Sequence, residues 1–166
     1  MAAKTGTYTL IANTGLSGAS GVTFSSIPAT YTDLVIIVNG QVAASTQNLN
    51  LRINSDTGTN YSRVFMSSTG SATDTSRESN YAYITLDRYG YFTTNNTTMK
   101  IDIFDYANTT TYKNVISRSS GPDGVGAVVG VWKATPAAIN TIYCYLSGST
   151  WTAGSTAKLY GIEAAK

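Results

Sequence analysis

The chain has 166 residues, enough for one domain whose single hydrophobic core needs no disulfide or metal to hold it together. Only 12% of the residues are charged and the formal net charge is +2, which excludes the concentrated basic surface that nucleic-acid binding requires. The polarity comes from 26 Thr, 18 Ser and 12 Asn residues, which suit strand surfaces and turns and avoid charge repulsion between close-packed copies.

Neither end of the sequence suggests export or membrane anchoring. Residues 1–6 lack an apolar segment, and no apolar run is long enough to cross a bilayer. Cys144 is the only cysteine, so an intrachain disulfide is impossible and synthesis in a reducing cytoplasm is expected. We expect Cys144 to be buried and chemically inert.

The first half of the chain reads as short strands. Alternating patterns predict strands at residues 7–12 and 21–27, with Tyr8, Leu10 and Ala12 on one side of the first. Residues 33–40 contain five consecutive aliphatic residues between Asp33 and an Asn-Gly exit, which is typical of a strand buried on both faces. We predict that this strand is the centre of the fold.

Further strands follow at residues 49–53 and 61–66. A Ser/Thr/Gly-rich loop is then predicted over residues 67–80, long enough to be a binding element. The second half predicts strands at 81–86, 99–103, 113–119, 125–132, 142–146 and 157–162, with a turn region around Trp151.

This pattern predicts an all-β fold, a jelly-roll-like β-sandwich of about ten short strands in a single domain, residues 1–166. The strands recur every 8–15 residues or so, and no segment has a convincing helical period. We find no internal repeat and no domain linker.

Four tyrosines are predicted to point away from the core. Ala82, Ile84 and Leu86 would face inward, which turns Tyr81 and Tyr83 outward, and the same alternation turns Tyr143 and Tyr145 outward. Because tyrosine is enriched where protein surfaces meet, we interpret Tyr81, Tyr83, Tyr143 and Tyr145 as a subunit interface. Two alternatives remain open: cross-strand aromatic pairs that stabilise an exposed sheet, and tyrosines that stack on sugars with Trp132 and Trp151.

The sequence gives little support for a catalytic or metal site. The chain has no histidine, which removes the commonest general base and most zinc and iron sites. Among the carboxylates, Asp74 and Glu78 lie beside Arg77 in the predicted loop, where a solvated ion pair is the simpler interpretation. Residues 54–58 resemble the start of a calcium loop but lack its acidic twelfth ligand, so we predict a plain turn. We expect a non-enzymatic protein without a catalytic residue, cofactor or metal.

Five segments of the sequence resemble segments of a known protein family. They are TYTLIA at 7–12, VTFSSIPATYTDLV at 22–35, INSDTGTNYS at 53–62, GVWKATPAAI at 130–139 and AGSTAKLYGI at 153–162. In this order they resemble a family of small virion structural proteins of tailed bacteriophages, including those of cyanobacteria. The resemblance spans nearly the whole chain, and its phrases are strands and turns.

The resemblance implies a β-sandwich displayed on the virion after synthesis in the host cytoplasm. Since the chain has no shaft-like repeat, we expect a capsid decoration (cement) protein that binds the major capsid protein and itself, with a trimer implied by the family. The alternative is a tail fibre or tip component that binds other tail proteins or host-surface glycans, through the 67–80 loop or the turn near Trp151. No nucleic-acid or membrane partner is expected.

Overall fold

The computed structural model describes residues 7–88, 92–122 and 124–163, which form twelve β-strands and no helix. The strands are β1 (Tyr8–Gly15), β2 (Gly21–Phe24), β3 (Asp33–Gly40), β4 (Leu49–Ile53), β5 (Tyr61–Ser68), β6 (Thr73–Tyr81), β7 (Ile84–Thr85), β8 (Thr97–Phe104), β9 (Lys113–Gly121), β10 (Gly124–Trp132), β11 (Ile142–Leu146) and β12 (Thr156–Ile162). The all-β prediction is confirmed. In these ranges there is no helix long and apolar enough to cross a membrane.

The strands form two antiparallel sheets of unequal size. The large sheet has the order β1-β12-β3-β8-β9-β10-β5-β6, and the small sheet has the order β2-β11-β4-β7. Each strand of the small sheet is followed in the chain by a strand of the large sheet. This repeated crossing between sheets is the jelly-roll type of β-sandwich that the sequence predicts.

Strand β3 has the bounds expected from its aliphatic run. It lies inside the large sheet between β12 and β8, and Leu34, Val35, Ile36 and Val38 are all buried. Each such side chain contributes about 1.5–3 kcal/mol of stability when it leaves water. Strand β3 is therefore a buried interior strand of the large sheet, as predicted, although it is third in the order of eight and does not lie at the centre.

The core fills the space between the sheets with the inward-facing residues of most strands. Ile36 and Ile101 come from the large sheet, Leu51 and Ile142 from the small sheet, and all four are fully buried. Cys144 lies on the same face of β11 as Ile142, and burial raises the pKa of its thiol to about 12. The prediction of a buried cysteine is confirmed.

The predicted loop at 67–80 is wrong for most of its length. Strand β5 continues to Ser68, and after a short connection β6 runs back along it as the outer strand of the large sheet. The strand predicted at 81–86 is correspondingly short, since Tyr81 belongs to β6 and only Ile84 and Thr85 form β7. Strand β6 contains no aliphatic residue, so hydrophobic alternation could not reveal it.

A β-bulge changes the face that β1 presents. The register against β12 shifts between Leu10 and Ala12, and Tyr8 and Leu10 are about half exposed whereas Ala12 packs against the core. The three residues therefore do not share one face, because a bulge adds one residue to the alternation.

Candidate functional site

The four tyrosines singled out in the sequence lie together on the outside of the sandwich. Tyr143 and Tyr145 alternate with the buried side chains of β11, so their rings lie on the outer face of the small sheet. Tyr81 ends β6 in the large sheet, and Tyr83 immediately precedes β7 in the small sheet. Tyr143 and Tyr145 face outward, as predicted. Tyr81 pairs with the buried Tyr61, so it lies on the inner face of the large sheet at its edge strand, and the prediction that it faces outward is wrong. The fold brings the two pairs of tyrosines into contact.

The rings form a continuous chain of contacts. Tyr143 and Tyr145 are stacked, with ring centroids 4.9 Å apart and planes 11° from parallel. Tyr83 meets Tyr145 edge to face at 6.1 Å, and Tyr81 meets Tyr83 edge to face at 6.3 Å. Both geometries are favourable for aromatic pairs.

Two arginines hold these rings in place. The guanidinium carbon of Arg52 lies 5.2 Å from the Tyr145 ring centroid and 6.0 Å from that of Tyr83, while its Nε donates to the Ala82 carbonyl over 3.1 Å. Each arrangement is a cation–π contact. We call Tyr81, Tyr83, Tyr143, Tyr145, Arg52 and Arg63 the tyrosine cluster.

Arg63 holds the other end of the cluster from inside the sandwich. Its guanidinium carbon lies 4.4 Å from the Tyr81 ring centroid and 5.4 Å from that of Tyr83. Its Nη1 donates to the Tyr83 carbonyl over 2.9 Å, and its Nη2 forms an ion pair with Glu78. Sequence analysis missed this arginine, although its place on the buried side of β5, between Tyr61 and Phe65, was a usable signal.

A shallow groove of about 270 Å³ runs beside the cluster, lined by Thr23, Arg52, Ser55, Thr57, Thr141 and Tyr143. The groove therefore offers one cation and five hydroxyl-bearing side chains, one of which is the aromatic Tyr143. Burial raises the pKa of Tyr145, so its hydroxyl stays protonated at neutral pH. The surface can donate hydrogen bonds and make apolar contacts, as protein interfaces and sugar sites both require.

Comparison with protein-family models, curated proteins and solved structures finds no match.

The two tryptophans are not available for sugar stacking. Trp151 is 2% exposed and packs edge to face on Phe92 at 4.6 Å. Trp132 is 5% exposed, and its indole Nε1 donates to Asp56 Oδ2 over 2.7 Å. The alternative in which these two rings stack on sugars is therefore wrong.

The 54–58 segment is a turn, as predicted. Asn54 and Ser55 both have positive φ angles, and the Asp56 N–H donates to the Ile53 carbonyl, which together define a type I′ turn. The Asp56 carboxylate accepts hydrogen bonds from Gly58, Asn60 and Trp132. Nowhere in residues 7–88, 92–122 and 124–163 do three or more His, Cys, Asp or Glu residues gather as metal ligands would.

The two carboxylates of β6 are both ion-paired with arginines outside β6. Asp74 forms an ion pair with Arg88, and Glu78 forms one with Arg63. Arg77 lies at the opposite parity on the outer face, so the ion pair expected beside Arg77 is wrong.

The outer face of the large sheet, on the opposite side from Tyr143 and Tyr145, carries a second surface. We call it the apolar patch: Val64, Met66, Val125 and Val129, which are between 39% and 56% exposed. Val129 pairs with Val64 in the register of β10 and β5, so the side chains are contiguous. Arg77 lies across from Val64, and Arg118 lies across from Ala127. The patch is therefore apolar with a basic rim.

Proposed function

We propose that the chain is a structural protein of a tailed-phage virion, a capsid decoration (cement) protein that assembles with itself and stabilises the head. Two observations support this proposal. The five phrases quoted above resemble small virion proteins along nearly the whole chain, and the β-sandwich agrees with the fold which that resemblance implies. The proposed role is non-enzymatic.

In this proposal, copies of the chain associate through the tyrosine cluster. Tyrosine and arginine are the residue types that most often dominate the energy of protein interfaces. The ring contacts and the two guanidinium groups already order these side chains in the single chain. Association then costs little additional side-chain entropy, which favours a stable contact.

The apolar patch supplies a separate surface for the major capsid protein. A decoration protein needs one contact with its own copies and another with the shell, and the two surfaces lie on opposite sides of the sandwich. The partner surface should present an apolar centre with acidic groups that meet Arg77 and Arg118. A protein that binds only the mature shell stabilises it by mass action.

A closed oligomer is the general expectation for identical chains. The family resemblance and the local threefold axes of a capsid imply a trimer. Replacing Tyr143 and Tyr145 together with Ser should lower the oligomer mass measured by light scattering while leaving the β-sheet circular dichroism unchanged. Tyr112, which is 57% exposed and lies outside the cluster, supplies the control variant Tyr112→Ser. An unchanged oligomer in the double variant would rule out the interface.

The location on the head is tested by copy number. Mass-spectrometric quantitation of this chain against the major capsid protein in purified particles should give hundreds of copies. A handful per particle would instead place the chain on the tail, as a fibre or tip component with other tail proteins or host glycans as partners. Shells lacking the chain should lose integrity at lower temperature, and adding back Val129→Glu, which charges the patch, should fail to restore them.

A further inference from the structure

A polar cavity of about 230 Å³ opens at the side of the sandwich where β6 passes the end of β7. The residues that matter in its wall are Asn48, Arg63, Glu78, Asp87 and Arg88. Neither sequence pattern nor the proposed assembly role accounts for it.

Two of these side chains have unused hydrogen-bonding groups. Asp87 is 1% exposed, and its Oδ2 accepts only a long hydrogen bond from the Leu49 N–H, at 3.4 Å. Within the described ranges, its Oδ1 and the Nε of Arg63 are both buried without a hydrogen-bond partner. A buried polar group left unpaired costs about 1–3 kcal/mol, so both atoms favour a ligand that satisfies them.

The two unused groups narrow the ligand chemistry. The Nε–H of Arg63 is a donor, whereas Oδ1 of Asp87 accepts when the carboxyl is ionised and donates when it is protonated. A hydroxyl group can both donate and accept, so it can pair with either group in both states of Asp87. A metal cation would be repelled by Arg63 and Arg88, and an anion by Glu78 and, when ionised, Asp87.

We propose that this cavity binds a neutral sugar residue. The Asn48 side-chain amide offers another donor and acceptor for a neighbouring hydroxyl, as a vicinal diol requires. Phe65 also lines the cavity, so a sugar there has an aromatic side chain beside it. Aromatic rings with a few convergent polar groups form a recurrent kind of small-molecule site. The inference does not depend on the proposed capsid role.

The test is a titration of the full ¹⁵N-labelled chain with D-glucose, D-galactose and D-mannose, followed by ¹H–¹⁵N NMR. At least one hexose should cause saturating shifts of the Leu49 amide and of the Arg63 Nε–H signals. Asp87→Leu keeps a side chain of similar size and removes the carboxyl group, and should weaken binding about tenfold, the worth of one hydrogen bond. Glu163→Gln, at an exposed carboxylate far along the chain, should bind as the unaltered protein does.

Asn48→Ala provides a second variant if Asp87→Leu does not fold, and should also weaken binding. Calcium chloride and sodium phosphate are titrated in parallel. Shifts of the same signals by calcium or phosphate but by no hexose would overturn the proposal, and so would equal hexose affinity in Asp87→Leu or in Asn48→Ala. Absence of any hexose shift would also overturn it, since the two groups would then be satisfied by water alone.

Discussion

The ring of Tyr143 lies directly over Gly21 in the neighbouring strand. A Cβ atom at position 21 would come 2.9 Å from Cε2 of Tyr143 and 2.8 Å from Cβ of Tyr145. Both distances are shorter than side chains tolerate, and the β2–β11 register sets Gly21 directly opposite Tyr145. The missing side chain of Gly21 therefore provides the space in which the two rings stack.

Gly21→Ala should displace the stacked pair. We expect a loss of about 1–3 kcal/mol of stability, because an added methyl group must push aside rings and the nearby Cys144 carbonyl. Near-ultraviolet circular dichroism should change, since it reports the packing of tyrosine rings. Gly70→Ala is the matched control, because nothing lies within 4 Å of a Cβ there. Equal effects of the two substitutions would contradict the packing role of Gly21.

Substitution by glycine should change the stability in opposite directions at two adjacent turn residues. Ser55 has a φ angle of 58°, which strains any residue with a Cβ, and its side chain has no hydrogen bond among the described contacts. Ser55→Gly should therefore stabilise the protein by about 0.5–1 kcal/mol in urea unfolding.

Asn54 has nearly the same backbone conformation, with a φ angle of 50°. Its side chain, however, donates to the Ala138 carbonyl and accepts from the amides of Asn140 and Thr141. Asn54→Gly should lower stability, because the loss of these contacts outweighs the relief of strain. If both substitutions changed the stability in the same direction, the prediction that backbone strain dominates at Ser55 and side-chain hydrogen bonds dominate at Asn54 would be wrong.

The buried carboxyl of Asp87 should make stability depend on pH. Burial raises its pKa from 3.8 to about 8, although a backbone hydrogen bond from Leu49 lowers it somewhat. Because the folded state prefers the protonated form, the contribution of Asp87 to stability is fully present below pH ~4 and is lost as the pH rises to about 8. Each unit of pKa shift corresponds to about 1.4 kcal/mol.

Asp87→Asn stays neutral at every pH and should remove this dependence. We expect the free energy of unfolding of the variant, measured in urea relative to that of the unaltered protein, to rise by a few kcal/mol from pH 5 to pH 8.5. The other carboxyl groups are common to both chains, so the difference isolates position 87. A stability difference that is the same at both pH values would refute the raised pKa.

Alternation with a period of two explains why several elements were predictable. The aliphatic run of β3 and the alternating residues of β11 identify strands whatever their neighbours, and parity turns Tyr143 and Tyr145 outward once Ile142 and Cys144 are buried. Strand β6 has no such pattern. It forms because its backbone pairs with β5, while Glu78 meets Arg63 of β5 and Asp74 meets Arg88 in the segment after β7.

The sequence by itself determined the all-β class, the positions of most strands and the outward direction of Tyr143 and Tyr145, because these depend on local alternation and on turn residues. Only the tertiary structure decided that the tyrosines form one cluster with Arg52 and Arg63, that Trp151 is buried, and that Asp87 and the Arg63 Nε face one cavity. These relationships join residues far apart in the chain, and they follow from which strands become neighbours, a choice made by burial across the whole core rather than by any local pattern.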